Sequence, residues 1–139
     1  MRPEETMDWK HLFLSFEGRI SRKPFWLSLL ALIIIEWILF IVLSLIFGMS
    51  MMGGMDPGMD PEAVTSAAMT AMIPMWILLF LFFYPALAIY TKRWHDHGKD
   101  GVWSFIMFIP IIGAIWLIVE CGFLRGTEGP NLYGDDPLA

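Results

Sequence analysis

Three neighbouring side chains have the right types for metal or acid–base chemistry. They are His95, Asp96 and His97, inside the run Lys92-Arg93-Trp94-His95-Asp96-His97-Gly98-Lys99-Asp100-Gly101. Imidazole and carboxylate together suit several transition metals. On a helix, however, residues two apart point in different directions, and no further ligand follows at a metal-site spacing. The competing reading is structural: Asp96 pairs with a nearby cation, Arg19, Arg22 or Arg93, and orders the turn. The residue pattern favours that reading. A membrane metal protein or enzyme using His95, Asp96 and His97 stands as a second alternative.

Glu36 falls in the middle of a long apolar run, where an acid is by default a proton- or ion-site hypothesis. Its plainer reading is a neutral carboxyl hydrogen-bonded to another span, with Tyr84 at similar depth as the partner, since burial disfavours the charged form. Met49, Met51, Met52, Met55 and Met59 loosely resemble thioether clusters that hold Cu(I), though methionine is also a flexible apolar filler. Glu120 lies toward the end of a third apolar run, within reach of an interface. The single cysteine, Cys121, excludes an intrachain disulfide and a cysteine-built zinc site. There is no nucleophile–base–acid set, no phosphate-cradling glycine loop and no HExxH. No cofactor and no enzymatic activity are expected.

The elements that position these residues are membrane helices. Hydrophobic residues make up 57% of the 139, charged residues 17%, and the mean hydropathy is +0.61. Soluble domains run near 45–50% apolar and about 25% charged. The excess sits in runs long enough to cross a bilayer. Residues 1–6 are polar and expected to be mobile. Trp9, Leu12, Phe13 and Phe16 fall at helical spacing behind a capping Asp8, which predicts an interfacial amphipathic helix over 8–17. A partner-binding helix is the rival reading there.

Span one is predicted over 25–47, too long for a signal-peptide core. A Met-rich outer linker follows over 48–71, and Asp60-Pro61-Glu62 signals a helix start near its end. Span two is predicted over 72–91, kinked at Pro85. The loop 92–101, span three over 102–124 and a polar tail over 125–139 complete one membrane domain. Pro110 and Gly113 leave open a re-entrant hairpin in place of the third crossing.

Orientation follows from the cations. Of the nine Lys and Arg residues, only Arg125 lies outside the N-terminal segment and the 92–101 loop. Such residues stay cytoplasmic. The expectation is a cytoplasmic N-terminus and loop, with the Met-rich linker and the C-terminus outside.

Three blocks carry a family resemblance: Phe16-Glu17-Gly18-Arg19-Ile20-Ser21-Arg22-Lys23-Pro24-Phe25-Trp26; Lys92-Arg93-Trp94-His95-Asp96 with Gly98-Lys99-Asp100-Gly101-Val102-Trp103; and Gly126-Thr127-Glu128-Gly129-Pro130-Asn131-Leu132-Tyr133-Gly134-Asp135-Asp136-Pro137. In this order, around the apolar runs, the chain resembles the DUF-805 family, the YhaH-like small bacterial inner-membrane proteins of unknown function. Trp94 stands where leucine is usual, Asp100 where serine is common, and Val102 where a second tryptophan is frequent. The Met-rich linker is long for the family. The resemblance implies a multi-pass inner (plasma) membrane protein and transfers no catalytic residue. It also implies that the basic blocks and the tail form one surface, which conflicts with an outside tail.

The fold expected is thus an all-α integral membrane protein with three transmembrane helices behind a short interfacial helix. The leading functional reading is a non-enzymatic interaction or scaffold protein. It would bind a partner or anionic lipid through Arg19, Arg22, Lys23, Lys92, Arg93, His95 and Asp96 on the cytoplasmic face. The alternative is a small oligomeric transporter or proton-coupled channel using Glu36, with Tyr84 beside it. Membrane lipids, further copies of the chain or a larger membrane protein are the partners expected. Nucleic acid is not.

Overall fold

A computed structural model describes residues 8–54 and 58–139, with side chains 50–53 excluded. Asp8 caps the first helix, α1 (Trp9–Leu14), by accepting from the backbone N–H of Lys10 and His11 at 3.0 and 3.3 Å. Two long helices follow, α2 (Arg22–Gly54) and α3 (Pro61–Asp96). Asp60 caps α3 through the N–H of Glu62, with Pro61 as first helical residue, as its sequence predicts. The part of α2 from Arg22 to Met49 and the whole of α3 are long and apolar enough to cross a membrane.

The linker predicted over 48–71 is narrower than expected. Helix α2 runs on to Gly54, and α3 begins at Pro61 and continues through Pro74 and Pro85. Of the methionines weighed for copper, Met55 lies outside the described residues, as do the side chains of Met51 and Met52. The polar segment 1–6 lies outside them too.

The third span is the main correction. Residues 102–124 do not form one helix. A 3-10 helix (Gly101–Phe108) ends at a sharp turn, and α4 (Ile112–Leu117) then leads into a π-helical turn (Ile118–Phe123). Ile112 N–H donates to the carbonyl of Pro110 at 2.7 Å across Ile111, which is held at φ 65° and ψ −62°. This is a tight γ-turn of the strained, positive-φ kind. Gly113 lets the two arms meet: a Cβ there would stand 1.8 Å from the carbonyl oxygen of Ile106. At about 2.0 Å per residue in a 3-10 helix and 1.5 Å in an α-helix, each arm reaches roughly 16–18 Å. The hydrocarbon core is about 30 Å thick, so each arm is shorter than a full crossing requires. The pair is a hairpin.

The chain divides into two compact units, Met1–Ala31 with Tyr84–Ala139, and Leu32–Phe83. The first holds almost all the buried apolar side chains, among them Phe25, Ile89, Trp94, Leu117 and Cys121. Phe25 meets Tyr90 edge-on at 5.6 Å. In the second, Leu78 is the one buried hydrophobic residue among those described, while most of its other large apolar side chains are exposed. That distribution suits a segment solvated by lipid rather than by water.

Candidate functional site

The site forms where α3 ends. Six consecutive residues, Thr91 to Asp96, are buried there. Lys99 N–H donates to the carbonyl of Trp94, and Gly98 N–H to that of His95, both at 2.9 Å. Gly98 takes φ 68°. This paired closure is the usual way a glycine stops a helix. It turns the chain sharply and leaves the Arg93 and Asp96 side chains, one turn apart, on the same face.

Asp96 holds two arginines. Its Oδ2 accepts from Arg93 Nη1, and its Oδ1 lies 3.1 Å from Arg19 Nε and 3.0 Å from Arg19 Nη2. The three side chains are 1% exposed for each arginine and 4% for the aspartate. One carboxylate against two guanidiniums leaves an excess positive charge in a buried place, and backbone carbonyls supply the remainder. Arg19 donates to Thr127 O at 2.7 Å, Gly129 O at 2.8 Å and Gly134 O at 3.1 Å. Arg93 donates to Cys121 O at 2.6 Å, Ile20 O at 3.4 Å and Leu124 O.

Those carbonyls are not arbitrary. A helix ends with four carbonyls lacking intrahelical partners and a partial negative charge. At the end of the π-helical turn, the carbonyls of Cys121, Gly122, Phe123 and Leu124 accept in succession from Arg93, Trp26 Nε1, Arg22 and Arg93. Lys92 does the same for α1: its Nζ donates to the carbonyls of His11 and, at 2.6 Å, Leu12. Neighbouring cations on one turn of α3 thus cap the C-termini of two other helices.

The tail is bound into the same cluster. Thr127 N–H donates to Asp96 O at 2.8 Å, Asn131 Nδ2 to His95 O at 2.9 Å, and the Tyr133 ring stacks on His95 at 3.8 Å. His95 Nδ1 lies 3.2 Å from Gly18 O. Gly126 sits so close to Asp96 that a Cβ would stand 1.9 Å from Oδ2. Two N–H groups, of Leu138 and Gly129, hold the Asp136 carboxyl below the usual range. The tail expected on the opposite face from the 92–101 loop thus packs against the end of α3 that carries this loop. The hairpin brings the chain back, and the tail closes over the loop.

The remaining sequence-predicted residues are placed as follows. Arg19, Lys92, Arg93 and Asp96 have their side chains buried and spent on internal partners, so their charged heads are not presented at the surface. Arg22 and Lys23 are exposed. His95 packs between the tail and the Gly18 turn. Burial, then Arg93, pushes the His97 imidazole below its ordinary value, and its Nε2 is buried without a hydrogen bond. Among the described residues no three His, Cys, Asp or Glu side chains form a metal-holding group. The Tyr84 hydroxyl donates to Leu14 O at 3.1 Å, and its ring meets Phe16 edge-on. Residue patterns missed a second ion pair, Lys99 with Glu120. The Lys99 amine lies over the rings of Trp94 and Trp103 at 5.3 and 5.0 Å, and Trp116 Nε1 also donates to Glu120. The available signal was an acid within an apolar run, Glu120, one helical turn after Trp116.

Residues 13–135 match the family described as "Protein of unknown function (DUF805)". The chain belongs to this family. The matched span contains every member of the ionic cluster, from Arg19 through Gly134. The chain is 30% identical over 128 residues to "Inner membrane protein YhaI" of Escherichia coli (strain K12), covering 90% of this chain and 87% of the relative. It is 30% identical over 136 residues to "Inner membrane protein YhaH" of the same organism, with 94% and 97% covered. "Uncharacterized protein YiiR", also from Escherichia coli (strain K12), shares 25% over 148 residues, with 88% and 85% covered. No solved structure matches the chain.

Proposed function

We propose that the chain is a non-enzymatic multi-pass protein of the bacterial inner membrane that carries a rigid, pre-ordered head on its cytoplasmic side. The observation behind this reading is the buried Arg19–Asp96–Arg93 cluster, which ties the segment before α2, the end of α3 and the tail into one body. Its charges are met by a carboxylate and backbone carbonyls, the signature of a scaffold element rather than of groups held ready for chemistry.

Charge partition supports the orientation. All nine Lys and Arg residues fall in Met1–Ala31 or Tyr84–Ala139, and Leu32–Phe83 has none. Helices α2 and α3 each run from the cationic unit into the other. With residues 101–123 as a re-entrant hairpin, Arg125 no longer stands apart from the other cations. The positive-inside rule then assigns N-terminus, loop and tail alike to the cytoplasm. The names of the Escherichia coli relatives support an inner-membrane location. In this reading the membrane is crossed twice, with α1 at the interface.

The exposed Arg22 and Lys23, beside Trp26, are the groups for anionic headgroups, each such cation contributing about 1 kcal/mol near an anionic leaflet. The outward apolar faces of Leu32–Phe83 are the surface for lipid or for further copies of the chain. A C-terminal reporter active only in the cytoplasm tests the reading. Activity there, matched by an N-terminal fusion, is the result expected. An extracytoplasmic C-terminus would overturn it.

A further inference from the structure

Glu36 borders a groove within the Leu32–Phe83 unit. On α2, Glu36, Phe40 and Ser44 are spaced four apart and share one face, while α3 supplies Ala68, Ala71 and Trp76. The groove encloses about 630 Å³, inside the range of roughly 300–1,000 Å³ usual for small-molecule sites. Small residues create the room. A Cβ at Gly48, also in the lining, would meet nothing within 4 Å. Apart from Glu36 and Ser44 the walls are apolar.

Glu36 is the anomaly. It is half-buried and, among the described residues, has no hydrogen bond or ion pair. No Lys, Arg or His occurs anywhere in Leu32–Phe83, so its own unit supplies no counter-cation. Tyr84 is committed to Leu14 O. A carboxyl among apolar walls is stable when neutral or when paired with a cation. An acyl chain would leave it unpaired. The same face of a second copy would bring another glutamate.

We propose that this groove binds a lipophilic cation: a single positive centre carried on an aromatic or aliphatic body, the charge against Glu36 and the body along Phe40, Ala71 and Trp76. The aromatic rings of Phe40 and Trp76 in the lining offer cation–π attraction to such a centre. The site is separate from the ionic cluster, and its occupancy does not depend on which side the cluster faces.

The test is calorimetric titration of the full chain in lipid nanodiscs with tetraphenylphosphonium, beside the neutral triphenylphosphine oxide. The wild type is expected to bind the cation at micromolar concentration and the neutral compound at least tenfold more weakly. Glu36→Gln should weaken cation binding tenfold or more at unchanged circular dichroism. Ala71→Leu, which narrows the groove and keeps the carboxyl, should weaken both compounds. Equal binding of the two compounds would make the groove an acyl-chain site and overturn the proposal. So would equal cation binding by wild type and Glu36→Gln, or no cation binding at all.

Discussion

Arg19 places its Nη2 3.0 Å from Asp96 Oδ1 across 77 residues of chain, and both side chains are almost completely buried. Arg93 occupies the other carboxylate oxygen. The pair thus closes a link between the two sequence blocks that flank the long helices. Removing one partner of such a pair strands a buried charge, which costs far more than the pair contributes when whole.

Asp96→Asn should therefore be severe. Two guanidiniums would lose their only carboxylate, a cost of about 3–5 kcal/mol. Thermal unfolding in detergent should shift down sharply, and the tail beyond Arg125 should become sensitive to trypsin. The Arg125 side chain is exposed, but the backbone after it is held by Asp96 and Arg19 at Thr127 and Gly129, so cleavage there reports release of the tail. A variant with unchanged melting and a protected tail would show that the cluster does not hold the head together.

Gly126→Ala tests the close approach of the tail to α3. The added methyl would meet Asp96 Oδ2 at 1.9 Å and Asp96 O at 2.7 Å, and the Asp96 side chain is held by Arg19 and Arg93, so it cannot simply swing away. We expect a loss of about 1–3 kcal/mol, the usual cost of overpacking. Gly48→Ala, with open space around it inside helix α2, is the control and should gain about 0.5–1 kcal/mol, because alanine replaces glycine in a helix interior without a clash. Comparing the melting temperatures of the two variants settles the point.

Ile111→Gly should act in the opposite direction. A β-branched residue at φ 65° is strained, costing about 1–3 kcal/mol, and glycine removes most of that while adding about 0.5–1 kcal/mol of backbone entropy. A net gain of about 1 kcal/mol is expected in the same melting assay. A loss comparable to that of Gly126→Ala would mean that the hairpin does not turn at this residue.

Acid should loosen the tail through Asp136. Its folded-state pKa lies below the ordinary 3.8 because Leu138 and Gly129 donate to the carboxylate. A depressed pKa means that the unfolded tail binds the proton more readily. The contribution is complete above about pH 4 and disappears as the pH falls through the lowered value. Amide protection at Gly129 and Leu138, taken relative to the intrinsic exchange rate at each pH, should fall on acidification below about pH 4, and Asp136→Asn should abolish that dependence. Identical profiles for variant and wild type would exclude Asp136 as the cause.

The sequence by itself determined the local and compositional features. Asp8 and Asp60 cap helices because a short carboxylate before a helical run satisfies orphan N–H groups, whatever the surroundings. The long apolar runs determined α2 and α3, since in lipid a single continuous segment satisfies its own backbone groups only as a helix. The three family blocks were legible, and so was the pairing of Asp96 with an arginine. The tertiary structure decided what those blocks do together. Pro110 and Gly113 are compatible with a tolerated defect in a crossing helix or with a turn. The choice rests on whether Gly113 packs against the carbonyl of Ile106, a contact no periodicity encodes. That turn puts the tail beside the loop rather than across from it. The partners of Arg19, Lys92 and Arg93 were hidden for a related reason: most are main-chain carbonyls at helix ends. A carbonyl has no residue type to read, so only the fold shows which ones lie within reach.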